Sequence, residues 1–223
     1  MIGSRLHSRR RICDHGRVAA SPSRPSRRQI AAAATHDEIL RAARRLFAED
    51  GYAATSVQAI ATEAGVAVQT IYSSIGSKAA IVVALNDTID AEAGVMPLAR
   101  QAMEATDPRR IVELMVAIPR QVSERCGDLI AALDEARVAD ADAAAALIEG
   151  RRRHREGEGR IVARLVQIGA LRPGLDPERA GDMAAALTYT STFADLVGCG
   201  WTWDEAAEAL VEVLAGVLLA DDG

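Results

Sequence analysis

The chain has 223 residues, 49% hydrophobic and 26% charged, and 26 Lys and Arg against 31 Asp and Glu leave a formal net charge of −5. That balance is too apolar for general disorder, and charged residues or Gly interrupt every apolar stretch before the ~20 residues that a membrane-spanning helix needs. Cys13, Cys126 and Cys199 are isolated thiols that fit a reducing compartment, and of the four histidines only His154 lies beyond the N-terminal region, which leaves little for a disulfide framework, structural zinc or imidazole catalysis.

The charge is unevenly spread. Residues 1–80 carry 12 basic and 6 acidic side chains, and residues 81–223 carry 14 and 25. Residues 1–29 hold eight arginines against Asp14, around Ser21-Pro22-Ser23-Arg24-Pro25-Ser26. Such a stretch cannot bury enough apolar surface to offset its ordering entropy, so residues 1–30 are predicted to be a disordered basic arm. Without an apolar run behind its charges it does not read as a secretory signal. An arm that touches DNA phosphates, an organelle transit peptide and a start codon placed too far upstream would all show this composition.

From Ala31 onward the apolar residues recur at helical spacing, Ala is abundant, and Pro97, Pro108, Pro119, Pro173 and Pro177 fall between periodic segments, so an all-α fold is expected. Thr35-His36-Asp37-Glu38 caps a helix carrying Ile39, Leu40, Ala43, Leu46 and Phe47, which stops at Asp50-Gly51. Thr55 then caps a short helix that ends at Gly65, Val68–Tyr72 forms another, and Ser77-Lys78 opens a longer helix over 77–95. Two short helices about a turn at Gly65, braced by a longer one before them, make a helix-turn-helix. The expected domains are the arm (1–30), a helix-turn-helix DNA-binding unit (31–80), and a helical effector-binding and dimerisation unit (81–223).

Residues 35–90 closely resemble the DNA-binding domain of TetR-family transcriptional regulators. The matching positions are Phe47-Ala48, Gly51-Tyr52, Thr55, Ile60-Ala61, Ala64-Gly65-Val66, Thr70, Tyr72 and Lys78. Two positions depart from the pattern: Ala67 stands where Ser commonly caps the recognition helix, and Ile75 where Phe commonly packs. In a helix-turn-helix the second helix enters the major groove, so residues 67–73 are placed to read bases. Gln69 can pair with adenine, Thr70 can meet a thymine methyl or a phosphate, and Ala67 and Val68 supply apolar contact, with Ser73 beside them. The resemblance assigns Thr55, Tyr72 and Lys78 to backbone phosphates. Residues 37–80 alone hold four basic and five acidic side chains, so affinity has to come from placed contacts, dimerisation or the arm.

Beyond residue 95 the helices are expected near 108–124, 128–138, 141–169, 176–197 and 204–220, the last capped by Thr202 or Asp204. Its stripe of Ala207, Leu210, Val211, Leu214, Val217 and Leu218 could be buried within one chain. The resemblance implies instead that the last two helices pair with those of a second subunit. Met96, Met103, Met115, Tyr189 and Phe193 are candidates to line an effector cavity, although taken singly each is also suited to ordinary core. Arg151-Arg152-Arg153-His154-Arg155 with Glu149, Glu156 and Glu158 reads as the solvated end of a helix broken at Gly157 and Gly159, and Asp134, Glu135, Asp140 and Asp142 as surface charge.

The expectation is therefore a cytoplasmic, non-enzymatic regulator, nucleoid-associated when bound. It has no cofactor, metal or membrane partner. It binds a pseudo-palindromic double-stranded operator as a homodimer, as a repressor released by a small apolar effector. The alternative is a helical small-molecule-binding or enzymatic protein that retains the helix-turn-helix as scaffold.

Overall fold

The computed structural model describes residues 26–220, and over them the fold is all-α. Most of the predicted arm lies outside the described residues, but its last part is helical. Helix α1 spans Arg27–Ala54, beginning well ahead of Thr35. The run Ala31–Ala34 favours helix, and the helix extends back until Ser26 stops it in a capping box with Gln29. Gly51, at φ +81°, breaks α1 one turn before its end, where the sequence placed the stop.

Helices α2 (Val57–Glu63) and α3 (Val68–Ser74) follow, joined through Gly65 in the left-handed region (φ +65°). The predicted helix over 77–95 is divided into α4 (Lys78–Asn86) and α5 (Ile89–Glu92), and left-handed Gly94 then turns the chain into α6 (Val95–Glu104). Helix α7 (Pro108–Ala136) joins two predicted helices, with a kink at Cys126 between them. Pro119 lies inside α7 rather than between helices, and the Ser123 hydroxyl donates to its carbonyl at 2.8 Å. Helix α8 (Ala141–Gln167) matches expectation, whereas the helix predicted over 176–197 is split into α9 (Pro177–Leu187) and α10 (Thr190–Gly198). The run Thr188-Tyr189-Thr190-Ser191-Thr192 explains the split, because hydroxyl side chains compete for the backbone: Thr188 Oγ1 donates to the Ala184 carbonyl at 2.8 Å. Helix α11 (Trp203–Leu218) starts at Thr202 in a capping box with Glu205. Among the described residues no single helix is long and apolar enough to cross a membrane.

Two apolar cores organise these helices. The first joins α1–α5 to the second half of α7 and the start of α8, through Ile39, Phe47, Ile60, Ile71, Ile81, Leu129 and Leu147. The second joins the first half of α7 and the end of α8 to α9–α11, through Ile111, Met115, Ile161, Phe193, Leu210 and Leu214. Helices α7 and α8 thus belong to both cores, so the helix-turn-helix unit and the C-terminal unit are joined by continuous helices.

Gly157 and Gly159 do not break α8. The close approach of α9 is made by Gly181: a Cβ built there would lie 3.2 Å from the Gly159 Cα, a contact with backbone that cannot swing aside. Gly181→Val is accordingly expected to force the two helices apart and lower unfolding free energy by about 1–3 kcal/mol, read as a reduced urea midpoint at unchanged slope.

Candidate nucleic-acid interface and effector cavity

Helix α3 is held by one face. Ile71 is fully buried in the first core, with Val68 half-buried beside it, whereas Ala67, Gln69, Tyr72 and Ser73 face outward and Thr70 is half-buried at the edge. Tyr72 keeps 52% of its surface exposed. Ala67 makes no side-chain cap, as the sequence implied, and the first N–H groups of α3 are left for another acceptor.

Two residues expected at phosphates are turned inward. Thr55 is 3% exposed, and its hydroxyl donates to the Gly51 carbonyl at 2.8 Å and lies 3.2 Å from that of Leu46. It closes the break in α1, which corrects its reading as a DNA contact. The cap of α2 is Ser56, whose hydroxyl accepts from the Ala59 N–H at 3.0 Å. Lys78 donates to the carbonyls of Tyr52 (2.7 Å) and Thr55 (2.9 Å) and sits 4.1 Å from the centre of the Tyr52 ring. Those carbonyls end α1, so the ammonium serves as a cap that ties α4 to α1 and fixes the frame around α2 and α3. Partial burial pushes its pKa down.

The same frame is bound to α7. Arg44 on α1 holds both carboxylate oxygens of Asp128 (Nε at 2.8 Å, Nη2 at 3.1 Å), the Arg125 carbonyl and Glu92. The hydrogen bonds to Asp128 raise the guanidinium above its ordinary pKa. Glu135 accepts from the N–H groups of Tyr52 (3.0 Å) and Ala53 (3.3 Å), capping the last turn of α1. Sequence reasoning placed Glu135 among surface charges, because nothing local announces an acceptor for a helix so much earlier in the chain.

Between the two cores lies a cavity of about 290 Å³. Its walls come from Asn86, Ile89 and Asp90 near the α4–α5 junction, Met96 and Met103 of α6, Ile118 and Val122 of α7, Arg153, His154, Glu158, Arg160 and Ile161 of α8, and Tyr189. Of the expected lining residues, Met96, Met103 and Tyr189 reach it. Met115 and Phe193 do not: both are fully buried in the second core, Phe193 beside Trp203 with ring centres 6.3 Å apart. Being large and apolar says only that a side chain is buried, and here close packing took them.

The cavity also holds groups the sequence placed on the surface. Glu158 is 2% exposed, and burial pushes its carboxyl up to about 8. Its Oε1 lies 3.5 Å from Thr188 Oγ1, but that hydroxyl's single proton is taken by the Ala184 carbonyl at 2.8 Å, and Oε2 has no partner. His154 Nε2 donates to the Ala185 carbonyl at 3.0 Å, and burial lowers its pKa, so the ring is neutral with Nδ1 toward Glu158 at 3.9 Å. A signal did exist: Leu147, His154, Glu158, Ile161 and Leu165 share one face at helical spacing. The rest of the Arg cluster is paired, Arg152 with Glu149 and Glu156, Arg155 with Asp182, and Arg151 with the Tyr189 hydroxyl at 3.1 Å.

Residues 39–85 match the family model of the bacterial regulatory proteins of the tetR family. No curated protein sequence matches the chain. Solved structures share its fold. SmeT of Stenotrophomonas maltophilia in complex with triclosan superposes with a TM-score of 0.66 at 20% identity, over 85% of this chain and 93% of that one. FadR of Bacillus subtilis with stearoyl-CoA gives 0.66 at 20%, over 80% and 97%. PfmR of Thermus thermophilus gives 0.57 at 24%, over 80% and 97%. The outward face of α3, the left-handed turn before it and the matched residues agree: the chain carries the helix-turn-helix DNA-binding domain of the TetR family on the fold of that family's transcriptional regulators.

Proposed function

We infer that the protein is a dimeric repressor that binds a pseudo-palindromic operator through α3 and leaves it when a small, mainly apolar effector fills the cavity. The observation that carries the reading is the position of that cavity. One wall is the α4–α5 junction, which shares a core with α3, and the other is α8 at the break between α9 and α10. An effector with different affinity for two arrangements of these walls shifts their populations, and by no more than that difference. SmeT has been solved with triclosan and FadR with stearoyl-CoA, which supports an effector with a large apolar part.

A dimer through α9–α11 supplies the two half-sites that a helix-turn-helix needs. Leu210, Val211, Leu214 and Leu218 of the predicted stripe are spent on the chain's own core, which leaves Val217 of that stripe, with Val213 and Val197 outside it, for a partner.

Footprinting with the DNA flanking the protein's own gene tests the reading, and no protection at any position would overturn it. Within a protected site, Gln69→Ala is expected to relax base preference by about tenfold, while Tyr72→Phe weakens binding similarly across sequences. Retention of full discrimination by the Gln69 variant would remove Gln69 from the reading role.

A further inference from the structure

Two buried side-chain atoms among the described residues have no partner, Glu158 Oε2 and Arg153 Nε, and both residues line the cavity. Fully buried polar groups without partners are costly, and because Glu158 adjoins the cavity a small turn of its side chain brings the carboxyl to a group that enters. The groups around Glu158 explain what it needs. His154 is neutral, and Thr188 gives its proton elsewhere. Arg153 on α8 is held by Asp90 of the α4–α5 side, Nη1 to Oδ2 at 3.3 Å, and Glu156 is held by Arg152. Arg160 is exposed at the rim. The facing residues from α6 and α7, Met96, Met103, Ile118 and Val122, are apolar. Glu158 is thus an acid in a largely apolar chamber, and no side chain among the described residues bonds to its Oε2.

We propose that the cavity recognises an apolar molecule bearing one protonated amine, whose ammonium group is held by the Glu158 carboxylate while its hydrocarbon part lies against the α6 and α7 walls. The proposal rests on the reading of this cavity as the effector site. Burial favours the neutral acid form of Glu158, its carboxyl being pushed up to about 8. As the ammonium enters, the acid proton leaves to solvent and the ion pair forms in its place, N–H donating to Oε2. An oxygen elsewhere on the ligand would accept from Arg153 Nε. Because Thr188 and Tyr189 at the break between α9 and α10 adjoin Glu158 and His154, the head group binds beside a break in the helices proposed to pair.

Octylamine, octanol and octanoate differ only in the head group and serve as probes in calorimetric titration of the full chain. Octylamine is expected to bind at least tenfold more tightly than the other two, and binding near pH 7, repeated in buffers of different ionisation enthalpy, should release up to about one proton per molecule, with none released for octanol. Glu158→Gln should remove the preference for the amine and the proton release while leaving octanol affinity within about twofold. Octanol or octanoate binding as tightly as octylamine, or absence of octylamine binding, overturns the proposal, and both readouts use only the unaltered chain. Octylamine that binds as stated yet leaves DNA affinity unchanged upholds this ligand class and overturns the effector reading. DNA released by octanol or octanoate and not by octylamine does the reverse.

Discussion

Phe193→Ala is expected to lower the unfolding free energy by about 3–5 kcal/mol, a large part of the ~5–15 kcal/mol that holds a domain folded. The ring is fully buried on α10 in the second core, beside Trp203 and among side chains of α7, α8, α9 and α11. Truncation removes its transfer free energy and leaves a cavity that several rigid helices cannot close. Met115→Ala, equally buried on α7, should cost about 2–5 kcal/mol. Met103→Ala is the contrasting case: its side chain is 43% exposed at the wall of the 290 Å³ cavity, so about 1 kcal/mol or less is expected. Urea unfolding at one fixed protomer concentration measures all three, since a dimer's stability depends on concentration. If Phe193→Ala costs no more than Met103→Ala, Phe193 is not a core anchor and its place at the cavity has to be reconsidered.

The second large effect is a dependence of stability on pH that runs against the usual carboxylate pattern. Glu158 has its pKa raised from 4.5 to about 8, so between those values the folded chain binds a proton that the unfolded chain has lost. Stability from this group is complete below about pH 4.5 and falls as pH rises to about 8, by on the order of 3–5 kcal/mol in total. His154 has the opposite slope. Its pKa is lowered by burial, so its contribution is present above the ordinary value of 6.5 and is lost as pH falls below it. The two slopes partly cancel below about pH 6.5, and the fall due to Glu158 stands alone from there to about pH 8. Glu158→Gln removes the titration but keeps a buried polar group that costs about 1–3 kcal/mol, so the informative quantity is the slope rather than absolute stability. Thermal or urea unfolding from pH 5 to 9 should show the variant's stability rising relative to the unaltered chain as pH increases. Parallel curves for the two proteins would mean that Glu158 is not held as a neutral acid.

Both effects concern residues whose role was not legible locally, while much of the DNA-binding unit was. The stripe Ile39-Leu40-Ala43-Phe47, the break at Gly51, the turn at Gly65 and the absent cap at Ala67 all appear in the structure where the sequence put them. Each is decided within a few residues by spacing, by glycine's access to positive φ, or by a side chain within reach of its own backbone. Boundaries were less secure: Ser26 outdid Thr35 as a cap, and the hydroxyl run at Thr188–Thr192 split a helix that periodicity alone continues.

What the sequence determined by itself is the all-α class, the helix-turn-helix and the outward residues of α3, because these follow from short-range rules. Only the tertiary structure decided that Thr55 and Lys78 face inward to finish α1, that Glu135 caps it from α7, and that Gly159 and Gly181 mark a helix contact rather than a break. It also decided that Glu158 lies inside, unpaired, at the wall of a cavity. A helix presents the same side chains wherever it is placed. Which face its neighbours cover is set by contacts between segments far apart in the chain, and that coverage turns a carboxylate from solvated charge into a candidate binding group.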